Sequence, residues 1–133
     1  MFTHRVRIYI HHTDCAGRLF FGSKFFLVHE AKEHFLESLG VSVSEILNHP
    51  EVTFPLIHAE ADYKAVLVVG DMVDIDVSIE KIGETSVVFL FALKRPDGRI
   101  VGSAKTVSVA VNKKTNQKTA LPKEWRKKFE KGL

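Results

Sequence analysis

Three stretches of the chain have the hydrophobic periodicity or the end signals of helices. From Ser23 to about Leu39 apolar residues recur every three to four positions, and Ser23 is the predicted N-cap. The apolar face is so broad that we expect this helix to be largely enclosed, although Lys32 falls on it without an evident reason. Ser42–Glu45 has the pattern of a capping box, which predicts a second, short helix. Pro122 suits the first turn of a short terminal helix.

Other segments have the two-residue period of strands. Apolar and polar residues alternate over residues 6–10 and again over residues 73–79, which predicts strands with one buried face. Residues 87–93 are continuously apolar, as in a strand buried on both faces, and residues 100–111 form a further long strand. Because short turns join the later strands, we expect antiparallel pairing. The sheet must cover the long helix, so the sequence predicts an α+β fold.

The composition is that of a soluble globular protein. The 133 residues are 45% hydrophobic and 26% charged, which excludes disorder and predicts one domain over residues 1–133. The single cysteine excludes an intramolecular disulfide and suggests a reducing compartment. No apolar run reaches about 18 residues, so we expect no membrane-spanning helix and a cytoplasmic protein.

Positive charge is concentrated near the C-terminus. Residues 113–133 contain eight Lys or Arg and two Glu, a net +6, so the rest of a chain of net charge +3 carries −3. A basic segment can attract nucleic acid, anionic lipid or a polyphosphate cofactor. No aromatic residues alternate with the basic ones as a base-stacking surface requires, so we expect a solvated helix and no nucleic-acid partner.

Asp14 is the first candidate for chemistry. It lies in a loop of small residues, next to Cys15, directly before the enclosed helix. Backbone N–H groups at the start of that helix, near Phe21, Gly22 and Ser23, favour developing negative charge. A carboxylate beside such groups can attack a carbonyl while the amides hold the oxyanion. The simpler alternative is that Asp14 only caps the loop or the helix.

The other reactive residue types give weaker patterns. Cys15 can be a nucleophile with a neighbouring histidine as base, or simply a small apolar filler. His29 and His34 resemble a zinc-binding pair but are five residues apart, so their imidazoles lie about 140° apart around the helix. His11 and His12 are adjacent in sequence and face opposite ways on a strand. We therefore expect no metal site.

Several motifs resemble the 4-hydroxybenzoyl-CoA thioesterase-like group of hotdog-fold proteins. Asp14–Phe21 resembles its signature of an Asp, two small residues, a Gly, two apolar residues and two aromatic residues before the central helix, with Arg18 at the first of the two apolar positions. Pro55-Leu56, Tyr63 and Gly70-Asp71 match the second half of the pattern, so the resemblance covers nearly the whole chain. Within the group, His29-Glu30-Ala31 is most similar to the 1,4-dihydroxy-2-naphthoyl-CoA hydrolase branch.

The resemblance implies the hotdog fold, in which an antiparallel sheet of about five strands wraps a long central helix. It also implies an acyl-CoA thioesterase that acts on an aryl- or acyl-CoA, such as 1,4-dihydroxy-2-naphthoyl-CoA or a hydroxybenzoyl-CoA. Asp14 is then the nucleophile or the general base, and the amides of Phe21 and Gly22 form the oxyanion hole. Coenzyme A is part of the substrate, so no separate cofactor is implied.

The remaining site residues follow from the same resemblance together with strand parity. The residues expected to line the acyl pocket are His29, Phe54, Pro55 and His58. The residues expected to contact coenzyme A, alone or with those of a neighbouring subunit, are Lys64, Lys81, Thr85, Ser86 and Arg99. The resemblance further implies a homodimer with sheets joined edge to edge, commonly paired into a homotetramer, with active sites at the subunit interface.

Two rival functions remain open at this point. A hotdog dehydratase requires a His and an acidic residue placed across a dimer, and the sequence shows no convincing pair. A non-catalytic acyl-CoA-binding hotdog module is the alternative from another functional class. The intact Asp14 loop counts against the binding module, and release of free thiol from a CoA ester separates the two.

Overall fold

The computed structural model describes residues 1–133 and contains a five-stranded antiparallel sheet. The spatial order of its strands is β1-β4-β5-β6-β3, and a separate two-stranded ribbon pairs β2 with β7. The strands are β1 (Phe2–Arg7), β2 (Val52–Thr53), β3 (Leu56–Tyr63), β4 (Met72–Ile82), β5 (Ser86–Lys94), β6 (Ile100–Val109) and β7 (Val111–Asn112).

The long helix α1 (Ser23–Ser38) packs on one face of this sheet. Its buried apolar residues join those of the strands in one core cluster, as the predicted enclosure requires. The helices α2 (Val43–Leu47) and α3 (Lys123–Phe129) are short. The predicted α+β hotdog architecture, a sheet wrapped on a central helix, is confirmed. None of the three α-helices combines the length and apolar character needed to cross a membrane.

The ends of the helices follow local signals. Ser42 Oγ accepts a hydrogen bond of 3.0 Å from the Glu45 amide at the start of α2, as the capping box predicted. Gly22, not Ser23, is the N-cap of α1, and no side chain caps that end. At the other end of the chain, Arg126 donates to the carbonyl oxygens of the β4–β5 turn and Lys128 donates to Gly40. The basic segment therefore has a structural role, since two of its cations hold α3 in place.

The first strand lies earlier in the chain than the alternation over residues 6–10 predicted. It ends at Arg7, which pairs with Met72 of β4, and Ile10–His12 form a 3₁₀ turn. Ile10 is 78% exposed in that turn, so it does not belong to the buried face of a strand as the alternation predicted. Pairing with β4, which the local pattern does not contain, decides where β1 begins and ends.

The apolar run of β5 is buried on one face only, so the expectation of two buried faces is wrong for this chain. Val87, Phe89, Phe91 and Leu93 point to the core, while the alternate residues are half-buried. These alternate residues include Leu90 and Ala92, which line a shallow concavity of about 730 Å³. The helices contact the core face of β5, where Phe89 packs against Phe35 of α1 and Phe129 of α3, and this explains why the other face is more exposed.

Candidate active site

The Asp14 loop is a tight turn that the Asp14 side chain itself stabilises. Its Oδ1 accepts hydrogen bonds from the amides of Ala16, at 2.8 Å, and Arg18, at 3.2 Å. Gly17 has a φ of +75°, a conformation that favours glycine. Asp14 Oδ2 has no hydrogen-bond or ion-pair partner in the protein. The side chain thus caps the loop, as the simpler alternative held, and keeps one oxygen free for chemistry.

The start of α1 presents two unpaired backbone donors. The amides of Phe21 and Gly22 donate to no atom of the protein, whereas the Ser23 amide donates to the Phe20 carbonyl at 2.9 Å. The Tyr63 hydroxyl donates to the Phe21 carbonyl and so restrains the segment that carries the free amides. Of the three amides that the sequence singled out, two are available for an oxyanion.

Asp14 lines a cavity of about 200 Å³ whose walls are mostly apolar. Lys24 and Tyr63 also line this cavity. Lys24 is only 1% exposed, its Nζ lies 4.2 Å from the centre of the Tyr63 ring, and it donates to the Asp62 carbonyl. Burial lowers the pKa of Lys24 to about 8.

Lys24 was not predicted as a site residue from the sequence, because the space for its ammonium comes from a distant strand. A Cβ atom on Gly102 of β6 would lie 2.5 Å from Lys24 Nζ, so only glycine leaves room there. A glycine inside a strand marks a close approach of another group. Gly102 is therefore the one residue in the sequence that indicates a close approach to β6. The sequence alone does not say which side chain lies against it.

A second cavity, of about 230 Å³, is lined by residues of the same strands, β3, β5 and β6. Phe91 lines it, whereas Leu93, two residues further on the same face of β5, lines the Asp14 cavity. The predicted acyl-pocket residue His29 lies in its wall. Phe54, also predicted, lies in a neighbouring depression of about 140 Å³ that His29 and Lys32 border as well. The structure thus brings His29 and Phe54 together beside Lys32.

Lys32, the unexplained charge on the apolar face, is buried without a carboxylate partner. It is 6% exposed, and its Nζ donates to Ser108 Oγ at 3.0 Å. The ammonium also lies 4.4 Å from the centre of the Phe89 ring and 5.7 Å from that of Phe54, in the range of cation–π contacts. Burial lowers the pKa of Lys32 to about 8. Burial, and then the charge of Lys32, lower the pKa of His29.

We predict that Lys32 makes stability depend on pH above neutrality. Its pKa is about 8 in the folded protein, against 10.5 for a solvated lysine, so the unfolded chain binds this proton more tightly. Burying the protonated Lys32 ammonium lowers the stability of the folded protein. This cost is absent above about pH 10.5 and grows as the pH falls to about 8. Relative to Lys32→Met, the free energy of unfolding of the wild type should therefore rise by about 1 kcal/mol per pH unit across that window.

Urea unfolding at several pH values in this window measures the effect. Lys127→Met is the matched control, because Lys127 is exposed on α3 and makes no hydrogen bond or ion pair. A constant difference between wild type and Lys32→Met across the window would contradict the prediction.

Two other predicted acyl-pocket residues lie elsewhere. The pairing of β3 with β6 shifts between Leu56 and His58, which marks a β-bulge. Leu56 and Ala59 line the second cavity, whereas His58 is half-exposed and lies 3.6 Å from a Glu60 carboxylate oxygen. Strand parity, which predicted His58 for the acyl pocket, therefore does not hold here, because the bulge reverses the alternation. Pro55 is exposed and lines none of these cavities.

The residues expected to contact coenzyme A fall into two groups in one chain. Lys64 and Arg99 lie at the end of the sheet that carries the Asp14 loop. The Lys64 amide donates to the Val101 carbonyl, and Val101 lines the same cavity as Asp14. Arg99 directly precedes β6. The others, Lys81, Thr85 and Ser86, lie at or near the β4–β5 turn, at the opposite end of β5. The two ends of β5 are about 27 Å apart, so one chain does not combine both groups in one site.

Comparison with known proteins adds a family to this geometry. The family model of the thioesterase-like superfamily matches residues 9–129. A 1,4-dihydroxy-2-naphthoyl-CoA hydrolase from Prochlorococcus marinus is 36% identical over 119 residues, covering 84% of this chain and 79% of that protein. A protein of the same name from Rippkaea orientalis is 32% identical over 123 residues and 89% of each chain.

Solved structures show the same architecture. A 1,4-dihydroxy-2-naphthoyl-CoA thioesterase from Synechocystis superimposes with a TM-score of 0.90 at 25% identity, over 96% of this chain and 94% of that one. The gentisyl-coenzyme A thioesterase BH1999 superimposes with a TM-score of 0.84 at 28% identity, over 96% and 98% of the two chains. The two superpositions extend over nearly the whole fold, and the family match over residues 9–129 includes the Asp14 loop and α1.

Proposed function

The chain belongs to the thioesterase-like superfamily, and on that premise we propose that it hydrolyses the thioester bond of an aryl-CoA. The observation that carries the proposal is the free Oδ2 of Asp14 in the wall of a cavity, together with the free amides of Phe21 and Gly22 at the start of α1. These are the two components that acyl transfer needs, a carboxylate and donors for an oxyanion.

Thioester hydrolysis requires little more than these groups. In one route, Asp14 Oδ2 attacks the thioester carbonyl, the C–S bond breaks, and water then hydrolyses the resulting mixed anhydride. In the other route, Asp14 takes a proton from water as the water oxygen attacks. An alkyl thiol has a pKa near 8.5, so the thiolate leaves without a general acid. An acyl group on Asp14, detected by mass after rapid quenching, would distinguish the first route from the second.

The Asp14 cavity and the second cavity are proposed to hold the thioester and its acyl group, respectively. The second cavity is lined by Phe25, Phe91 and Leu56, which suit a flat apolar ring, with His29 at its wall. The relatives act, by name, on 1,4-dihydroxy-2-naphthoyl-CoA and gentisyl-CoA. We therefore propose 1,4-dihydroxy-2-naphthoyl-CoA or a hydroxybenzoyl-CoA as the substrate of this chain.

The phosphates of coenzyme A are proposed to meet cations at the Asp14 end of the sheet. Lys64 and Arg99 are exposed there, and Arg99 also pairs with Asp97 at 2.9 Å. The predicted contacts Lys81, Thr85 and Ser86 can take part only if a second copy of the chain brings its β4–β5 turn to this end.

The unpaired edge of β3 is a place where a second copy of the chain can bind. Strand β3 is an edge strand that pairs only with β6, and its other edge is unpaired. Leu56 and Ile57 on this strand are 42% and 55% exposed, so the start of this edge is both apolar and open. Exposed apolar edges are normally covered. This supports the homodimer with edge-to-edge sheets that the resemblance implied, and its pairing into a tetramer stays a prediction.

The proposed function predicts release of coenzyme A thiol from aryl-CoA esters. A panel of benzoyl-, hydroxybenzoyl-, 1,4-dihydroxy-2-naphthoyl- and alkyl-CoA esters with a free-thiol readout measures it. We expect the aryl esters to react faster than the alkyl esters, because the second cavity is lined by aromatic side chains. Thermal stabilisation by these esters without thiol release would instead support the non-catalytic binding module.

A further inference from the structure

We propose that Lys32 and Thr106 bind a hydroxyl oxygen on the aryl ring of the acyl group, so that this chain selects hydroxylated over unsubstituted aryl-CoA. The inference rests on the proposed function and adds the residues that choose the substrate. It comes from two buried side chains that line one cavity and have hydrogen-bonding capacity that the protein leaves unused.

The first of these side chains is Lys32. An ammonium group has three N–H donors, and the only hydrogen-bond acceptor that Lys32 reaches is Ser108 Oγ. The aromatic rings of Phe89 and Phe54 provide further electrostatic stabilisation, but no carboxylate lies within ion-pair distance. A buried charge without a counter-charge is costly. An oxygen that is anionic, or readily becomes so, would stabilise this ammonium in the complex.

The second side chain is Thr106 of β6. Its hydroxyl oxygen is buried and has no hydrogen-bond partner, the only buried side-chain polar atom of the protein in that condition. Thr106 lies two residues from Ser108 on the same strand and pairs in register with Phe89, the ring that faces Lys32. An unsatisfied buried hydroxyl needs an explanation, and a ligand oxygen beside Lys32 provides one.

The surroundings of Lys32 suit an oxygen that is carried on an aromatic ring. Most of the cavity wall is apolar, and Phe25, Val28 and Phe91 are among the side chains that line it. His29 lies one turn before Lys32 on α1 and lines the same cavity. Burial and the charge of Lys32 both lower the pKa of His29, which favours its neutral, hydrogen-bonding form. One ammonium therefore faces the ring without competition from a second cation.

Non-hydrolysable ligands test the proposal without relying on turnover. The probes are phenacyl-CoA, a thioether in which a methylene group separates carbonyl and sulfur, and its three ring-hydroxylated isomers. We expect the wild type to bind at least one hydroxylated isomer about ten- to a hundredfold more tightly than phenacyl-CoA, the range of a hydrogen bond to a charged group. In Lys32→Met this ratio should fall to within threefold, and in Thr106→Val it should fall by a smaller factor.

A spectroscopic signal separates this role from a purely structural one. A phenol held against an ammonium ionises more readily, so the bound hydroxyphenacyl group should show phenolate absorbance at a pH where the free ligand does not. Lys32→Met should abolish this band, whereas the surface control Lys127→Met should keep both the band and the ratio. Equal binding of phenacyl-CoA and all its hydroxylated isomers by the wild type, or an unchanged ratio in Lys32→Met, would overturn the inference. Either result would leave thioester hydrolysis, measured by thiol release, unaffected.

Discussion

Asp14→Asn is expected to lower kcat for aryl-CoA hydrolysis by a factor on the order of 10²–10⁴, the usual contribution of a general base. The substitution is selective, because an asparagine side-chain oxygen can still accept the hydrogen bonds that Oδ1 receives from the amides of Ala16 and Arg18. The loop therefore keeps its shape while the site loses its negative charge and its nucleophilic oxygen. Initial rates of thiol release at saturating substrate measure the effect.

Asp74→Asn is the matched control for this experiment. Asp74 lies on β4, outside both cavities, and its carboxylate pairs with Arg5 on the protein surface at 2.7 Å. Exposed ion pairs contribute little to stability, so this variant should retain kcat within threefold of the wild type. Activity of Asp14→Asn within threefold of the wild type would remove Asp14 from the mechanism. If the thermal midpoint of Asp14→Asn equals that of the wild type, the loss of kcat comes from the missing carboxylate and not from unfolding.

The parts of the fold that could be predicted depend on short-range patterns. The helical period of α1, the Ser42 cap of α2 and the alternation of β4 each lie within one segment, and each appears in the structure where it was expected. The extent of β1 was missed because pairing with Met72–Val77 sets it. The second face of β5 was misjudged for the same reason, since exposure depends on what packs against the sheet.

The residues of the candidate site show the same difference between local patterns and long-range contacts. The Asp14 loop and the free amides of Phe21 and Gly22 lie within a few residues of each other, so the sequence pattern contains them. Lys24 beside Gly102, by contrast, depends on contact between α1 and the distant strand β6. His58 was assigned to the pocket by simple alternation, and the bulge that reverses this alternation follows from the pairing of β3 with β6.

Lys32 is the clearest case of a residue that only the tertiary structure explains. On the helix it is a charge on an apolar face, which by pattern alone is an anomaly. In the folded chain it has Ser108 from β6 and the ring of Phe89 from β5 as partners. Because the remaining N–H donors of Lys32 have no acceptor in the protein, we infer that this residue serves ligand binding and not folding.

Phe129→Ala is expected to reduce the free energy of unfolding by about 3–5 kcal/mol, the range for truncating a buried Phe. Phe129 is fully buried at the end of α3, stacked on Phe54 at 5.7 Å and edge-on to Phe89 at 6.4 Å. Truncation leaves a cavity behind the two rings that face Lys32 and removes one of the two buried apolar side chains of α3. Urea unfolding near neutral pH, with the slope of the transition compared between variants, measures the loss.

Leu133→Ala is the control, since Leu133 follows the same helix but is 68% exposed, and its truncation should change stability by less than about 0.5 kcal/mol. A loss below about 1 kcal/mol for Phe129→Ala would contradict the packing of α3 against the core. A large loss would have a second consequence. The rings of Phe54 and Phe89 would then depend on α3 for their position, and the basic terminal segment would act as a support for the acyl cavity through its apolar side chains, with Arg126 and Lys128 holding it in place.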